Sequence, residues 1–369
     1  MTRIVHLTSV HGRKDVRILI KECASLARAG YDTHLAVADG QGPERCEGVQ
    51  IHDVGAAGGR AARMLGRPWA LLRMARALDA RVCHFHDPEL IVAGLLLRAQ
   101  GRRVVYDAHE DVPRQILNKP WIPAVLRRPV AWLFERLENF AVRRFDAVVA
   151  ATPHIARRFS ANNPHCVDIN NYPILQELAP AGGQRPARPD GRTVCYIGGI
   201  GENRGAVQLV AALERLDARC ILAGAFESPA LEARLRAMPG WSKVDYRGFV
   251  DRQGVAAILA ESDVGVVLLH PIPNYLDSLP IKMFEYMSAG LPVLASDFPL
   301  WRDIVEAGGA GLCADPRDTA HIAAAMQALL GDPARRQAMG RAGRRIVETE
   351  RNWGTESAKL TALYRTLAS

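Results

Sequence analysis

The stretch Asp277-Ser-Leu-Pro-Ile-Lys-Met-Phe-Glu285-Tyr-Met-Ser-Ala-Gly290-Leu-Pro-Val-Leu-Ala-Ser296 is more informative about the fold than any other part of this chain. Its pattern predicts a helix that ends at Gly290 and a strand that starts at Pro292. Asp277 precedes this helix, Glu285 lies within it, and the backbone N–H groups of residues 279–282 open it. A helix start favours phosphate, and carboxylates accept hydrogen bonds from hydroxyls. The segment therefore predicts a site for a ligand with both groups, such as a sugar nucleotide.

Length and composition restrict the class of protein. At 369 residues the chain exceeds the size at which one hydrophobic core keeps growing, so we expect two domains. Hydrophobic residues make up 49% and charged residues 23%, as in ordinary globular proteins, and no apolar run reaches the roughly 18 residues of a membrane span. The N-terminus reads as a buried strand, not as a signal peptide, and the seven cysteines include no CxxC pair. These features predict a reduced, cytoplasmic setting without cysteine-bound zinc.

Positive charge is concentrated in the first half. Residues 1–180 contain 25 Lys and Arg against 18 Asp and Glu, a net +7, whereas the remainder contains 22 against 21, a net +1. Within the basic half, 60–76 and 119–134 mix arginines with tryptophans. Both segments fit attachment to the inner face of an anionic membrane, where lipid-linked sugar acceptors reside, and equally fit ordinary amphipathic surface helices. No recognised nucleic-acid module is present, so we expect no nucleic-acid partner.

Short apolar strands alternate with segments of helical period, which is the pattern of parallel α/β domains. A connector rich in Pro and Gly, residues 174–192, interrupts the series. We therefore predict two doubly wound Rossmann-like domains, 1–173 and 193–350, with a C-terminal helix at about 351–369 that crosses back onto the first domain. The predicted strands are Ile4–Leu7, Thr33–Val37, Val82–His86, Arg103–Asp107, Ala147–Ala150, Thr193–Ile197, Arg219–Ala223, Val244–Arg247, Val264–Leu269, Pro292–Ala295 and Gly311–Ala314.

A glycine-rich turn follows the first strand of the second domain. It reads Tyr196-Ile-Gly-Gly-Ile-Gly-Glu-Asn-Arg204-Gly205, and such a turn lets the backbone approach a phosphate while an arginine adds charge-assisted hydrogen bonds. A dinucleotide fingerprint begins in the same way, but Arg204 stands where its third glycine belongs. A purely structural turn is the other alternative. We therefore favour a phosphate site over a nicotinamide cofactor.

Taken together, these segments resemble the nucleotide-binding domain of glycosyltransferase family 4. The resemblance extends over nearly all of residues 193–330, and its segments arrive in the order and spacing of the family. It implies the GT-B fold, in which two Rossmann-like domains face each other across a cleft, in enzymes of the kind that build bacterial surface polysaccharides. The segments are the glycine-rich turn with Arg204-Gly205, Leu222-Ala-Gly224, Tyr246-Arg-Gly-Phe-Val250, Glu261-Ser-Asp263-Val264, Asp277–Ser296 and Gly311–Pro316.

The resemblance assigns roles to the residues that bind the donor. Glu285 would accept hydrogen bonds from the ribose hydroxyls, and Asp277 would contact the transferred sugar where the family usually has glutamate. Arg204 takes the place of the lysine that binds the diphosphate. The arginine that partners this lysine in the family is replaced by Gly199, so one expected cation is missing. Lys282 is a candidate replacement, and a solvated helix lysine is the alternative.

Other positions complete the predicted donor site. The backbone at the helix start would bind the diphosphate, and the segment 247–250 would lie under the base, contacting it mainly through backbone groups. The residues assigned in this way are Leu279, Pro280 and Ile281 at the helix start, and Arg247 and Phe249 beside the base.

Polar residues also follow two strands of the first domain. Resemblance places His109 near the donor sugar, after the strand that ends at Asp107. A histidine pair, His84 and His86, with carboxylates nearby raises the alternative of a metal site, but the sequence supplies no convincing third ligand. We therefore predict no metal and no cofactor. The weaker candidates for holding the acceptor are His86, Glu89, Glu110 and Asp111, for which core or capping roles are equally compatible.

The loop after the first strand, residues 8–17, is polar, basic and opens a helix. It is predicted to face the cleft, with Gly12 against the diphosphate and His11 and Arg17 near the acceptor, although a structural turn fits as well.

The predicted function is transfer of a sugar from a nucleotide-diphosphate donor, UDP-sugar first and GDP-sugar next, to a hydroxyl of a glycan or lipid-linked acceptor. The resemblance implies retention of anomeric configuration, no bound metal, and a leaving diphosphate that helps to deprotonate the acceptor. Two alternatives stay open: a non-catalytic GT-B-like subunit that binds a partner or the membrane, and a GT-B epimerase or phosphorylase.

Overall fold

Short runs of apolar and β-branched residues form fourteen strands in the computed structural model, which describes residues 1–56, 66–117, 119, 121–178 and 191–368. Every strand of the sequence-based prediction is present within a residue or two. Three short strands on the flanks of the first sheet, β3, β4 and β8, were not predicted. The strands are β1 Arg3–Leu7, β2 Asp32–Val37, β3 Glu44–Cys46, β4 Val49–Asp53, β5 Val82–Phe85, β6 Arg103–Ala108, β7 Ala147–Ala150, β8 Cys166–Asp168, β9 Thr193–Ile197, β10 Arg219–Ala223, β11 Val244–Gly248, β12 Val264–Val267, β13 Val293–Ser296 and β14 Gly311–Ala314.

The chain divides into two units. The first comprises Met1–Asn171 together with Gly354–Ser369, and the second comprises Tyr172–Trp353. Most of the predicted connector, residues 179–190, lies outside the described residues, and the part before it forms the short helix Leu175–Leu178.

Each unit contains one sheet whose strand order reverses next to its first strand. In the first unit the order is β3-β4-β2-β1-β5-β6-β7-β8, parallel except for the β3–β4 pair. In the second unit the order is β11-β10-β9-β12-β13-β14, and all pairs are parallel. Chain connections leave in opposite directions at such a reversal, so a crevice opens beyond the carboxyl ends of β1 and β5, and likewise of β9 and β12. These are the places where ligands of doubly wound sheets bind.

Helices cover both faces of each sheet. Residues of the inner strands are buried almost without interruption, as expected for parallel strands with helices on either side, whereas the edge strands β3, β8 and β11 are only partly buried. The helices are Val16–Cys23, a π-helical segment that continues as Ala24–Arg28, then Arg67–Ala77, Ile91–Ala99, Val112–Ile116, Ala124–Val142, Pro153–Ser160, Leu175–Leu178, Ala206–Leu213, Pro229–Arg236, Arg252–Glu261, Pro273–Leu276, Ile281–Ser288, Pro299–Val305, Thr319–Gly331, Pro333–Thr349 and Trp353–Ala368, with 3₁₀ turns at Pro88–Leu90, Glu202–Arg204 and Pro239–Lys243.

The segment that opened the sequence analysis folds as its pattern predicts. The helix Ile281–Ser288 buries Met283, Phe284 and Met287 against the core of the second unit. Gly290 then adopts a φ of 73°, a left-handed conformation that ends the helix, and β13 follows. The apolar residues therefore pack one face of this helix into the core, and the start of the helix lies near the carboxyl end of β9.

The C-terminal helix Trp353–Ala368 contributes to the first unit. Tyr364 is fully buried there, with its ring 5.9 Å from the ring of Tyr31 and 6.4 Å from that of His6. Within the described ranges, none of the helices has both the length and the apolar character required to cross a membrane.

Candidate functional site

A glycine-rich turn follows β9 at the reversal of the second sheet. Tyr196 donates a hydrogen bond from its hydroxyl to the carbonyl oxygen of Gly199 at 2.8 Å, which holds the turn against the buried ring. Gly198 has a φ of 115°, and Gly205 has a φ of 72° with Leu268 O only 2.2 Å from the position of an added Cβ. Glycine is therefore required at both positions, because any side chain would be strained or would clash.

Lys282, in the first turn of the helix Ile281–Ser288, extends to this glycine-rich turn. Its Nζ lies 3.8 Å from the centre of the Tyr196 ring, and a Cβ added to Gly198 would be 3.3 Å from that Nζ. The Nζ atom is buried and has no hydrogen-bond partner among the described residues. Burial, with the charge of Arg204 beside it, lowers the pKa of Lys282 to about 7. Because a buried ammonium without a partner is unfavourable, this arrangement favours an anionic ligand.

Arg204 approaches the same turn from its exposed side. It ends the 3₁₀ turn Glu202–Arg204, and its Nη1 would be 3.3 Å from a Cβ added to Gly199. The guanidinium therefore occupies the space into which a side chain at 199 would project. Two basic side chains, Arg204 and Lys282, thus border the turn at adjacent glycines.

Glu285 lies one turn after Lys282 and is 9% exposed. Arg252, at the start of the helix Arg252–Glu261, donates from Nη1 to Glu285 Oε1 at 2.6 Å and also donates to Glu177 Oε2 at 2.6 Å. This pairing compensates the charge of a carboxylate that is largely removed from water. In the described part of the chain, the Glu285 carboxylate accepts a hydrogen bond only at Oε1, so Oε2 is available for a ligand hydroxyl.

The segment before this helix is held in place from the core. Asp277 is exposed and follows the short helix Pro273–Leu276. The indole Nε1 of buried Trp301 donates to the carbonyl oxygen of Ser278 at 2.8 Å. Leu279, Pro280 and Ile281 are partly buried and lead into the first helical turn, where backbone N–H groups lack intrahelical partners.

Arg247 and Phe249 lie at the surface beyond β11. Arg247 is bound by two carboxylates, with Nη2 2.8 Å from Asp245 Oδ2 and 2.7 Å from Glu261 Oε2. Its guanidinium is therefore engaged in ion pairs, whereas the Phe249 ring is 86% exposed and available to stack.

In the first unit, His109 follows β6 and contacts a buried carboxylate. Its Nε2 lies 2.8 Å from Asp107 Oδ2, and the same oxygen is 3.0 Å from Nδ1 of His86. Asp107 and His86 are fully enclosed, whereas the His109 side chain is 17% exposed. The carboxylate thus orients His109, the one histidine of these two that reaches solvent.

Arg17 is buried inside the same cluster. It binds Asp107 through Nη2 at 2.8 Å and Nε at 3.1 Å, and it donates from Nη1 to Ile169 O at 2.8 Å. Burial acts to raise the pKa of Asp107, but Arg17 and the rings of His109 and His86 outweigh it and hold that pKa well below the usual range. Arg17 and His86, both predicted near an acceptor, have their polar atoms occupied by neighbours in the interior.

The loop after β1 contains the remaining predicted residues of that region. His11 is about one-third exposed, and its hydrogen bond to Asp15 Oδ2 at 3.1 Å raises the pKa of the imidazole. A Cβ added to Gly12 would meet nothing within 4 Å, so open space adjoins this backbone. Glu89 accepts a hydrogen bond from Ser9 Oγ at 3.1 Å.

Glu110 and Asp111 follow His109 and precede the helix Val112–Ile116, with Asp111 at its N-cap position. Glu110 is exposed and accepts a hydrogen bond from Gln115, whereas Asp111 is mostly buried and 3.3 Å from Arg158 Nη1. Glu110 is thus the more accessible of the two to a ligand.

Sequence reasoning missed several residues that the fold brings to these sites. Arg252 gave no signal because it is 33 positions from its partner Glu285. Asp107 was treated only as the end of a strand, although a carboxylate inside an apolar strand is itself a sign of a buried polar network. His6, Glu22 and Tyr364, which pack around His84 and His86, come from three distant segments.

Comparison with known proteins matches each unit to a glycosyltransferase family model. The family model described as "Glycosyl transferases group 1" matches residues 191–332, and the model "Glycosyl transferase 4-like domain" matches residues 21–169. Together the two matches take in most of the chain.

Two curated relatives are similar to this chain at low sequence identity. A glycogen synthase of Mycobacterium tuberculosis is 24% identical over 254 residues, which is 66% of this chain but only 59% of that enzyme. A phosphatidyl-myo-inositol mannosyltransferase of Mycobacterium leprae is 25% identical over 333 residues, covering 84% of this chain and 81% of the enzyme.

Solved structures share the fold over the full length. The sucrose-phosphate synthase of Thermosynechococcus elongatus superposes with a TM-score of 0.80 at 19% identity and covers 100% of both chains. Anabaena HepE in complex with UDP-glucose superposes with a TM-score of 0.75 at 14% identity, covering 99% of this chain and 100% of that one. The predicted class, two parallel-sheet α/β domains of the GT-B type, is thereby confirmed, and the chain belongs to the group 1 glycosyltransferases.

Proposed function

We propose that this protein transfers a sugar from a nucleotide-diphosphate donor, a UDP-sugar before a GDP-sugar, to a hydroxyl of a glycan or lipid-linked acceptor in cell-surface polysaccharide or glycolipid synthesis. The observation that carries the proposal is the pair of cations at the glycine-rich turn. Lys282 has a buried Nζ with no hydrogen-bond partner in the described ranges, and Arg204 lies over the adjacent glycine. A diphosphate would neutralise both.

The proposed chemistry requires charge stabilisation at the leaving group. When the bond between the sugar and the diphosphate breaks, negative charge develops on the phosphate oxygens. Cations held in a buried, preorganised setting stabilise that charge without first having to reorganise water. Lys282, Arg204 and the backbone N–H groups at the start of the helix Ile281–Ser288 would supply this stabilisation, and the departing diphosphate would accept the proton of the acceptor hydroxyl.

Two carboxylates would bind the remainder of the donor. Glu285 would accept hydrogen bonds from the ribose hydroxyls through Oε2, since Arg252 holds the other oxygen. We further propose that Asp277 and His109 contact the transferred sugar. Transfer would proceed with retention and without a metal ion at the reacting atoms. HepE, whose solved complex contains UDP-glucose, supports the order in which donors are to be tried.

Calorimetry tests the donor site directly. We expect UDP-glucose or another nucleotide sugar to bind the wild-type protein and raise its melting temperature, since a ligand that binds only the native state stabilises it. Glu285→Ala should weaken binding at least tenfold, the loss expected when about 1.4 kcal/mol of ribose contacts is removed. Glu232→Ala, which breaks an exposed pair with Arg236, is the matched control. Binding that is unchanged in Glu285→Ala would overturn the proposal in favour of a non-catalytic subunit, and product analysis would reveal an epimerase or phosphorylase.

A peripheral contact with an anionic membrane is a second part of the proposal. On the helix Ala124–Val142, five apolar residues recur at spacings of four and three and are 40–64% exposed. An exposed apolar stripe with arginines beside it is typical of helices that lie in the membrane interface. The stripe consists of Leu126, Val130, Leu133, Leu137 and Phe140, and the neighbouring arginines are Arg127, Arg128, Arg136 and Arg144.

Sedimentation with lipid vesicles tests this contact. We expect the protein to bind vesicles that contain phosphatidylglycerol and to be released by salt, because the attraction is partly electrostatic. Leu133→Glu should abolish binding, whereas Val92→Glu, at a position that is 50% exposed on a different helix of the same unit, should not. Equal loss in both variants, or a dimer in solution that Leu133→Glu dissociates, would contradict the membrane assignment.

A further inference from the structure

Beneath His109, four side chains of the first unit place potential metal-binding atoms in one fully buried space. His6 on β1, Glu22 in the segment Val16–Cys23, His84 on β5 and His86 after β5 each have 0–2% exposure. One imidazole nitrogen or carboxylate oxygen from each lies within 4.8 Å of the others. We call these four residues the histidine cluster.

The hydrogen bonds around the histidine cluster engage the outer ring nitrogens of His84 and His86 and leave their second ring nitrogens directed inward. Asp107 accepts from Nδ1 of His86, so Nε2 of that ring has the lone pair, and this Nε2 lies 3.0 Å from Nδ1 of His6. The hydroxyl of Tyr364 lies 2.7 Å from Nδ1 of His84 and 3.4 Å from Nε2 of His6. The outer nitrogens are thereby engaged by a carboxylate and a phenol, which is how metal-binding histidines are generally held.

Three of the inward atoms lack a hydrogen bond to any described residue. His84 Nε2 and both carboxylate oxygens of Glu22 have no hydrogen-bond partner in the portion of the chain that the structure describes. Oε1 of Glu22 lies 3.1 Å from Nε of Arg17, and Oε2 lies 4.0 Å from Nδ1 of His6. Unsatisfied polar atoms this deeply buried are rare in native proteins and call for an unseen partner.

The charges around the cluster do not balance when both of its buried carboxylates are ionised. Arg17 is shared between two buried carboxylates, Glu22 and Asp107, at 3.1 Å and 2.8 Å. One negative charge is thus left in excess within the interior unless a proton or a metal ion neutralises it.

We propose that the histidine cluster binds a divalent transition-metal ion, zinc in the first instance, through His6 Nδ1, His84 Nε2, His86 Nε2 and Glu22. Imidazole nitrogens and a carboxylate are a donor set that zinc accepts, and four protein ligands make a closed, structural site. Ligands around one zinc ion at about 2.0 Å are separated by roughly 3.3 Å, so modest side-chain rotation from the observed spacing closes the site. The ion would fix His86, and with it the Asp107 carboxylate that orients His109. It would not contact the reactants, so this proposal is independent of the proposed function.

Metal analysis of the intact protein tests the site. The protein is prepared without a polyhistidine tag and without chelators, and its zinc content is measured by mass spectrometry. We expect about one zinc ion per chain. Glu22→Gln and His84→Gln should each lose most of the ion. His34→Gln is the matched control, because His34 also contacts a histidine, His52, at 2.8 Å, but lies outside the cluster.

Cobalt substitution guards against variants that fail to fold. Wild-type protein refolded with Co²⁺ should show the intense visible bands of tetrahedral cobalt, and zinc should displace them. Folded wild-type protein with less than roughly one-tenth of an ion per chain and no cobalt bands would overturn the proposal and leave a shared proton as the neutralising charge. Metal that persists in both cluster variants but is lost in His34→Gln would overturn it as well.

Discussion

Lys282 leads to a prediction about the pH dependence of donor binding. Its pKa of about 7 places the free side chain in its neutral form through most of the range above neutrality. A diphosphate would restore the charge, so binding should be accompanied by uptake of a proton. The sign follows from the lowered pKa: affinity is highest below pH 7 and falls as the pH rises.

The magnitude follows from mass action. At pH 8 about one Lys282 side chain in eleven is protonated, so the affinity should fall roughly tenfold, or about 1.4 kcal/mol, between the acidic plateau and pH 8. The expected uptake at pH 8 is about 0.9 proton per donor bound, since almost every side chain must acquire one.

Titration calorimetry in two buffers with different ionisation enthalpies measures this uptake. UDP-glucose is the appropriate ligand because both of its phosphates are esterified and do not titrate near neutrality. Lys282→Met should bind weakly at every pH and show no uptake from this position. Arg204→Met is the comparison variant. It should lose affinity and keep a pH dependence that is displaced to higher pH, because the charge of Arg204 helps to lower the pKa of Lys282. A dissociation constant for the wild type that is constant from pH 6 to pH 8.5, without proton uptake, would refute the reasoning.

Three further changes test the packing around the sites. Arg252→Ala should destabilise the protein by roughly 3 kcal/mol, because it leaves the mostly buried Glu285 carboxylate without its ion pair, and donor affinity should fall with it. Asp107→Asn should cost about 3 to 5 kcal/mol, since it removes the charge that a buried guanidinium and two imidazoles bind. Gly224→Ala should destabilise by more than about 2 kcal/mol, because the new Cβ would lie 2.0 Å from a carbonyl oxygen of the glycine-rich turn and Gly224 has a φ of 141°. For all three variants, chemical denaturation measures the free energy of unfolding, and donor binding is measured in parallel.

Two of these changes have a control variant, and two have an outcome that would contradict the reasoning. For Arg252→Ala the control is Arg236→Ala, which breaks an exposed pair and should cost at most about 0.5 kcal/mol. Gly12→Ala is the control for the glycine, because its Cβ would meet nothing within 4 Å. An Asp107→Asn protein as stable as the wild type would show that the buried network needs no charge there. Equal effects of Gly224→Ala and Gly12→Ala would contradict the steric argument.

Much of the donor half was predictable because its signals are local. The helix Ile281–Ser288, the glycine that ends it and the following strand obey short-range rules of period and backbone conformation. The glycine-rich turn after β9 was equally visible, since glycine is needed where φ is positive. A lysine in the first turn of a helix, however, is usually solvated, and the sequence contained nothing to distinguish Lys282 from that common case.

The sequence by itself therefore determined the alternation of strands and helices, the positions of the turns at the sheet reversals, and the family to which these patterns belong. Tertiary structure alone decided which charges are buried and what they contact: Lys282 over Tyr196, Arg252 against Glu285, and the histidine cluster assembled from β1, β5 and the segment Val16–Cys23. The physical reason is the distance along the chain over which each kind of interaction acts. Backbone conformation depends on neighbours within a few residues, whereas desolvation and ion pairing depend on segments that only the folded chain brings together.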